Sequence, residues 1–291
     1  MTQNQRQTVC LDVRGYRLTA DVTGDLRAPA VLLLHGIPGG RRSWHAVADR
    51  LASGARVFAP DLVGFGDSRG GARALHAAEQ SDVIAEFIRA VGLARVHVVG
   101  FDFGGPTAVL LATRAPALVV SLTLAATNVL TDTPIPVPLH LVRPPIVGDL
   151  FARLFFSRAG LSAMWRAAVA RRERYRFADY RAVLREGDTI ASTRQIFQAS
   201  LRDLPGLYGP VETGLGLLRV PSAVVWGDRD PFFPVEVGRR TAARVAGASF
   251  IVLKGCGHFI PNEEPDALAD IIMDAVAKSL PHETTERQAI V

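Results

Sequence analysis

Lysine is almost absent from this chain of 291 residues: 31 of its 33 basic residues are arginines, and the lysines are Lys254 and Lys278. The formal net charge of +5 therefore reflects arginine content. The densest basic cluster, at residues 171–176, is interrupted by Glu173, as is typical of a solvated helix face. We therefore expect no nucleic-acid partner.

Cysteine is also scarce, and long apolar runs are missing. Cys10 and Cys256 lie far apart in sequence, so we expect two unlinked thiols in a reducing compartment. No apolar run approaches the ~20 residues of a membrane-spanning helix, so we expect no membrane partner. The first eight residues lack the apolar core of a signal peptide, and this favours a cytoplasmic location. Neither a Cys/His ligand spacing nor a phosphate-binding loop is found, so we expect no metal and no cofactor.

Short apolar runs alternate with helical patterns over most of the chain. With 48% hydrophobic and 21% charged residues, the composition is that of a globular protein. A hairpin is predicted over residues 8–23, and buried strands are predicted at 30–35, 56–59, 95–99, 118–125, 220–226 and 249–253. Strands that alternate with helices predict an α/β fold with a mostly parallel central sheet flanked by helices.

The alternation stops in the middle of the chain. Residues 129–215 begin with several prolines, which are expected to prevent regular structure, and continue with helical patterns at 150–156, 161–174, 180–185 and 192–201. We interpret this segment as a helical cap inserted into a core formed by residues 1–128 and 216–291.

The most informative stretch is residues 98–105, VVGFDFGG, with Asp102 at its centre. A buried strand leads into small residues and then into a helix, which is the pattern of a sharp turn that exposes one side chain above a sheet. An aspartate can also cap a helix at this place. Capping alone does not account for the glycines on both sides.

Three further motifs are predicted to lie at the carboxyl ends of strands, where sites form in such sheets. They are HGIP at 35–38, WGDRD at 226–230 and GCGH at 255–258. Together with the turn at Asp102, they resemble the α/β-hydrolase superfamily in the order nucleophile, acid, histidine. The resemblance implies catalytic roles for Asp102, Asp230 and His258, with Asp228 as a rival acid, and a supporting role for His35 near the oxyanion loop.

An aspartate nucleophile has a different chemistry from a serine. A carboxylate is ionised at neutral pH, so it can attack an electrophilic carbon directly and form an ester. His258, oriented by Asp230, would then activate the water that hydrolyses this ester. The backbone N–H groups of Phe103 and Ile37 would form the oxyanion hole.

Within the superfamily, an aspartate at this position resembles epoxide hydrolases and, less closely, haloalkane dehalogenases. The dehalogenases typically have a halide-binding tryptophan after the nucleophile and often an asparagine after His-Gly; here these residues are Phe103 and Ile37. The resemblance therefore favours hydrolysis of an epoxide to a vicinal diol. The alternatives are a haloalkane dehalogenase, an esterase or lactonase, and a binding protein without turnover.

By resemblance, an epoxide hydrolase uses cap tyrosines as acids. The candidates are Tyr208, Tyr175 and Tyr180, although none lies in the tyrosine motif typical of that family. Candidates for lining the substrate pocket are His35, Pro38, Trp165 and Phe259, although packing in the core is favoured for Trp165. We expect a hydrophobic small-molecule substrate and a monomer or homodimer.

Overall fold

The computed structural model describes residues 6–70, 76–134, 137–144 and 146–279. Within these ranges, eight strands form one sheet in the order β1-β2-β4-β3-β5-β6-β7-β8. The strands are β1 (Gln7–Val13), β2 (Tyr16–Thr23), β3 (Ala30–Leu34), β4 (Arg56–Pro60), β5 (Val96–Phe101), β6 (Val119–Ala125), β7 (Ser222–Gly227) and β8 (Ser249–Leu253). The β1–β2 hairpin is antiparallel, as is the β2–β4 pair, and the remaining pairs are parallel. The predicted mostly parallel sheet is confirmed.

The central strands are buried on both faces. Every residue of β3 and β5 is buried, as expected for parallel strands covered on both sides. Successive side chains of β5 point to opposite faces, so Val98 packs in one hydrophobic cluster with Leu32 and Val99 in the other with Leu33. The sheet therefore separates two apolar layers.

Eleven α-helices lie within the described ranges. They are α1 (His45–Leu51), α2 (Ala77–Ala90), α3 (Gly104–Arg114), α4 (Val147–Phe155), α5 (Arg158–Ala168), α6 (Phe177–Val183), α7 (Thr189–Arg202), α8 (Leu204–Leu217), α9 (Val235–Ala243), α10 (Ile260–Glu263) and α11 (Pro265–Ser279). Helices α2 and α3 pack together on one side of the sheet, and α1 packs with α11 on the other. Among these helices, none is long and apolar enough to cross a membrane.

Helices α4 to α8 lie between β6 and β7 in the chain, and the described residues of this segment contain no strand. The boundaries 129 and 215 of a separate cap remain a prediction. The expectation that prolines prevent regular structure is wrong at Val137–Val142, which form a 3₁₀ helix. Residues 135, 136 and 145 lie outside the described ranges.

Helix α8 is missing from the sequence prediction. It contains two prolines and four glycines, which normally argue against a helix. Its start is stabilised by Asp203, whose carboxylate accepts a hydrogen bond from the N–H of Gly206 at 3.0 Å. Gly214 allows a close approach to α3, since a Cβ there would lie 3.2 Å from side-chain atoms of Val109 and Thr113. Tertiary packing therefore outweighs a poor helix propensity.

Candidate active site

Asp102 lies on the sharp turn between β5 and α3 and has a positive φ of 48°. This left-handed conformation is unfavourable for a residue with a Cβ, and it occurs mainly where the surrounding structure imposes it. Small neighbours make the turn possible. A Cβ at Gly100 would lie 2.6 Å from the carbonyl oxygen of Gly104, and one at Gly105 would collide with Thr127. The glycines predicted to form this turn are therefore required by close packing.

The carboxylate of Asp102 is held by backbone N–H groups. Its Oδ1 accepts a hydrogen bond from the N–H of Ile37 at 2.7 Å, and the N–H of Phe103 also donates to this carboxylate. These donors are the two that the sequence predicted for an oxyanion hole. Helix α3 begins without a side-chain cap, so Asp102 does not serve as the capping residue considered above.

His258 and Asp230 form a buried pair beside Asp102. Nδ1 of His258 lies 2.8 Å from Oδ2 of Asp230. The other oxygen of Asp230 accepts hydrogen bonds from the N–H groups of Phe232 and Phe233 at 2.8 and 3.1 Å. The rival acid Asp228 accepts instead from the N–H of Gly255 at 2.7 Å. The geometry therefore pairs His258 with Asp230.

Nε2 of His258 faces Oδ2 of Asp102 at 3.7 Å. The two side chains are only 3% and 11% exposed, respectively. Burial raises the pKa of Asp102 above its ordinary value, although the charge of His258 and the backbone donors oppose this effect. Burial also lowers the pKa of His258, but the charges of Asp230 and Asp102 outweigh it and leave this pKa raised. The ionisations of the two groups are therefore coupled.

Glu263 fixes the turn that carries His258. This fully buried carboxylate accepts hydrogen bonds from the N–H groups of Gly257 and Phe259, on either side of the histidine, at 3.1 and 3.2 Å. It also accepts from Ala170 and Arg171, in the loop after α5, at 2.8 and 2.9 Å. Glu263 was not predicted from the sequence, because nothing in the pattern distinguishes it from the neighbouring Glu264.

His35 fixes the loop that carries Ile37. Its Nε2 accepts a hydrogen bond from the N–H of Leu62 at 2.9 Å, so Nδ1 carries the proton and donates to the carbonyl oxygen of Gly36 at 2.8 Å. The ring is fully buried and does not border the cavity that lies above Asp102 and His258. The prediction that His35 lines the pocket is therefore wrong, and the expected supporting role agrees with its contacts.

A cavity of about 220 Å³ opens above Asp102 and His258; we call it the central cavity. Its walls are mainly apolar and come from both the sheet loops and the helices between β6 and β7. They include Ile37, Pro38, Phe103, Leu139, Phe155, Met164, Ile196, Phe197, Leu204, Phe232, Phe233 and Phe259. Pro38 and Phe259 therefore line it, as predicted. Trp165 does not, because it packs in the core against Tyr175 and Phe177.

Two of the three candidate tyrosines line the central cavity. The hydroxyl of Tyr180 is buried and has no hydrogen-bond partner among the described residues. Tyr208 hydrogen-bonds to Ser200, and burial, with the charge of Asp102, raises its pKa to about 12. Tyr175 does not reach the cavity, because its ring is enclosed by Trp165, Tyr180 and Phe259. Of the three candidate tyrosines, the geometry therefore excludes only Tyr175 as a proton donor in the central cavity.

Tyr208 also borders a second cavity of about 260 Å³, which lies between α2, α3, α7 and α8. The two cavities share Phe103, Ile196, Ser200 and Tyr208.

Within the described part of the chain, no group of three or more His, Cys, Asp or Glu side chains is arranged to hold a metal ion.

Comparisons with known proteins agree with this architecture. The 2-hydroxy-6-oxononadienedioate/2-hydroxy-6-oxononatrienedioate hydrolase of Klebsiella pneumoniae is 24% identical to this chain, covering 91% of it and 93% of the relative. Haloalkane dehalogenase DbeA from Bradyrhizobium elkani superposes with a TM-score of 0.79 at 20% identity, covering 94% of this chain and 99% of the other. Epoxide hydrolase CorEH superposes with a TM-score of 0.77 at 20% identity and the same coverage. At these identities the structural likeness shows the fold alone.

The model of the alpha/beta hydrolase family matches residues 31–271. This region contains the sheet from β3 to β8, the turn at Asp102 and the pair formed by Asp230 and His258. Because the match covers most of the chain and agrees with the observed fold, the protein belongs to the alpha/beta hydrolase family.

Proposed function

We propose that this hydrolase opens an epoxide to a vicinal diol through a covalent ester of Asp102. The observation that carries the proposal is that an aspartate on the β5–α3 turn shares one apolar cavity with two tyrosine side chains. A carboxylate supplies a nucleophile that needs no activating base. A phenol supplies the proton that an opening epoxide needs.

In the first step, Oδ2 of Asp102 attacks an epoxide carbon and a carbon–oxygen bond of the ring breaks. Oδ1 keeps its hydrogen bond from the N–H of Ile37, which leaves Oδ2, the oxygen that faces His258, as the attacking atom. The leaving oxygen takes a proton from Tyr208 or Tyr180. The raised pKa values of both phenols keep them protonated at neutral pH, as a proton donor requires.

In the second step, water attacks the carbonyl carbon of the ester and gives a proton to Nε2 of His258. Oδ1 becomes the oxyanion, and in this proposal the N–H groups of Ile37 and Phe103 stabilise it. Collapse of this intermediate breaks the bond to the alkyl oxygen, which takes the second proton of the water, so the diol is released and one water oxygen stays in the carboxylate of Asp102. The proton then returns from His258 to the tyrosinate, so the net reaction is the addition of water to the epoxide.

In this proposal, the helices between β6 and β7 form the cap of the site, over residues 129–215. They contribute Tyr180 from α6 and Tyr208 from α8, opposite the loops that carry Asp102 and His258. The apolar walls favour a small, hydrophobic substrate.

The intact mass of a His258→Gln variant after incubation with styrene oxide tests the ester directly. Without the base the ester persists, so we expect the protein mass to rise by that of one whole epoxide. A variant with both Asp102→Asn and His258→Gln is the matched control and should gain no mass. Peptide mapping should locate the adduct at Asp102.

The alternatives predict different masses. A haloalkane dehalogenase would gain the alkyl group of 1-bromohexane and release bromide. An esterase, a lactonase or a binding protein would gain no mass from either reagent. No adduct in a folded His258→Gln protein whose parent hydrolyses styrene oxide would contradict the ester of Asp102.

A further inference from the structure

Exposed large apolar side chains are concentrated in one short part of the described chain. Two of the seven found within the described ranges, Leu26 and Leu217, lie far from the others in sequence. The other five lie between residues 141 and 154 and are Leu141, Ile146, Val147, Leu150 and Leu154, which we call the α4 face. Such a concentration is typical of an interaction surface, whereas single exposed leucines are common on any protein.

Helix α4 presents this face to solvent because of its spacing. Ile146, at its N-terminal boundary, is followed at four-residue intervals by Leu150 and Leu154, so the three form one stripe and are 83%, 71% and 73% exposed. The buried residues Gly148 and Ala152 lie on the opposite side. The helix therefore has apolar residues on its inner side and on part of its outer side.

Arginines border the α4 face. Arg153 lies next to the stripe on the same helix, and Arg143 and Arg158 are exposed just before and after it. The acidic residue of this helix, Asp149, is paired with Arg202 at 2.6 Å. Exposed apolar residues bordered by arginines are the pattern of a helix that lies in the surface of an anionic lipid layer.

An apolar groove of about 490 Å³ leads from the α4 face toward the site. Leu154 belongs to the α4 face and also lines this groove. At the inner end, Phe155, Met164 and Phe232 line both the groove and the central cavity. The groove and the central cavity thus lie on either side of the same three apolar residues, along a mainly apolar route from the α4 face.

We propose that the α4 face docks on the surface of an anionic lipid layer and that apolar substrates enter the central cavity from it through this groove. The sequence predicted no membrane partner because no apolar run is long enough to span a bilayer, but surface docking needs no such run. Lipid binding is measured without turnover, so it can fail or succeed independently of the proposed epoxide reaction.

Co-sedimentation of the full chain with vesicles tests the docking. Vesicles of phosphatidylcholine alone are compared with vesicles of equal parts phosphatidylcholine and phosphatidylglycerol. We expect the wild type to bind the anionic vesicles, and the Leu150→Gln/Leu154→Gln variant to bind them about tenfold more weakly or worse. The matched control is Leu26→Gln/Leu217→Gln, which changes two other exposed leucines, at 71% and 61% exposure, and should bind as the wild type does.

Charge is tested separately with Arg153→Glu, which should weaken binding to the anionic vesicles. The proposal is overturned if the wild type binds neither vesicle, or if both leucine variants bind equally. It is also overturned if sedimentation velocity shows a wild-type dimer that Leu150→Gln/Leu154→Gln converts to a monomer, because the α4 face would then join two copies of this chain.

Discussion

Replacing Asp102 by asparagine should lower the pKa of His258. The ring faces the carboxylate across 3.7 Å, and nearby negative charge favours its protonated form. Coulomb attraction over this distance is worth about 1 kcal/mol in water and about 4.5 kcal/mol at an effective dielectric constant of about 20. With 1.36 kcal/mol for each pKa unit, removing this charge should lower the pKa of His258 by about one to three units.

Nuclear magnetic resonance of proteins labelled at histidine measures this pKa. The resonance of His258 is identified by its loss in the His258→Gln spectrum. Asp132→Asn serves as the matched control, because it removes an equal charge from an exposed ion pair with Arg240. We expect the pKa of His258 to change little in this control. A folded Asp102→Asn protein whose His258 titrates within about 0.3 units of the wild type would refute an ionised carboxylate facing the ring.

This coupling has a consequence for the proposed reaction. Formation of the ester removes the charge of Asp102, as the asparagine does, so the pKa of His258 should fall when water must be activated. In the pH–rate profile of a base-catalysed step, a raised pKa of the base moves the loss of activity on the acid side to higher pH. A fall in the pKa of His258 moves this loss back to lower pH. Ester hydrolysis in single turnovers should therefore retain activity at a lower pH than the titration of His258 in the free protein would allow.

Three further changes test the site. Gly36→Ala would place a Cβ 2.7 Å from Oδ1 of Asp102, so we expect epoxide turnover to fall about 100-fold, measured as kcat/KM. Tyr208→Phe and Tyr180→Phe should each slow the opening of styrene oxide at least about tenfold, and the double variant should slow it by about 10²–10⁴-fold. Equal rates in the wild type, both single variants and the double variant would contradict the role of these tyrosines as proton donors. Glu263→Gln changes a carboxylate that accepts hydrogen bonds from four N–H groups, so it should lower the free energy of unfolding, measured in urea, by about 3 kcal/mol. A decrease below about 0.5 kcal/mol would contradict the role of Glu263 in fixing the turn that carries His258.

The sheet was predictable because its central strands are short apolar runs that end at glycines and polar motifs. The site was predictable in part for the same reason: the positions of Asp102, Asp230 and His258 follow from strand ends, and strand ends are visible in the pattern. The backbone donors at Ile37 and Phe103 came from resemblance to a family.

Other features could not be read from the sequence because they depend on packing between distant segments. Helix α8 has a poor intrinsic propensity and forms against α3. Tyr175 was a candidate proton donor, but its ring fills the layer behind Phe259 and Tyr180, together with Trp165, for which core packing was the favoured prediction. Glu263 connects its own turn with a loop about 90 residues earlier in the chain, and a sequence pattern does not reveal such a contact.

The position of Oδ1 argues against acyl transfer of the serine type at this site. A serine leaves the oxyanion hole open for the carbonyl oxygen of the substrate, whereas here the N–H of Ile37 already binds Oδ1 of Asp102. A substrate ester would have to displace a charge-assisted hydrogen bond of 2.7 Å in a buried setting. In the proposed reaction no displacement is needed, because the oxygen that the hole binds in the free protein is the oxygen that becomes the oxyanion. In this proposal, the N–H groups of Ile37 and Phe103 would orient Asp102 for attack on an sp³ carbon and would then stabilise the hydrolysis of the ester that forms.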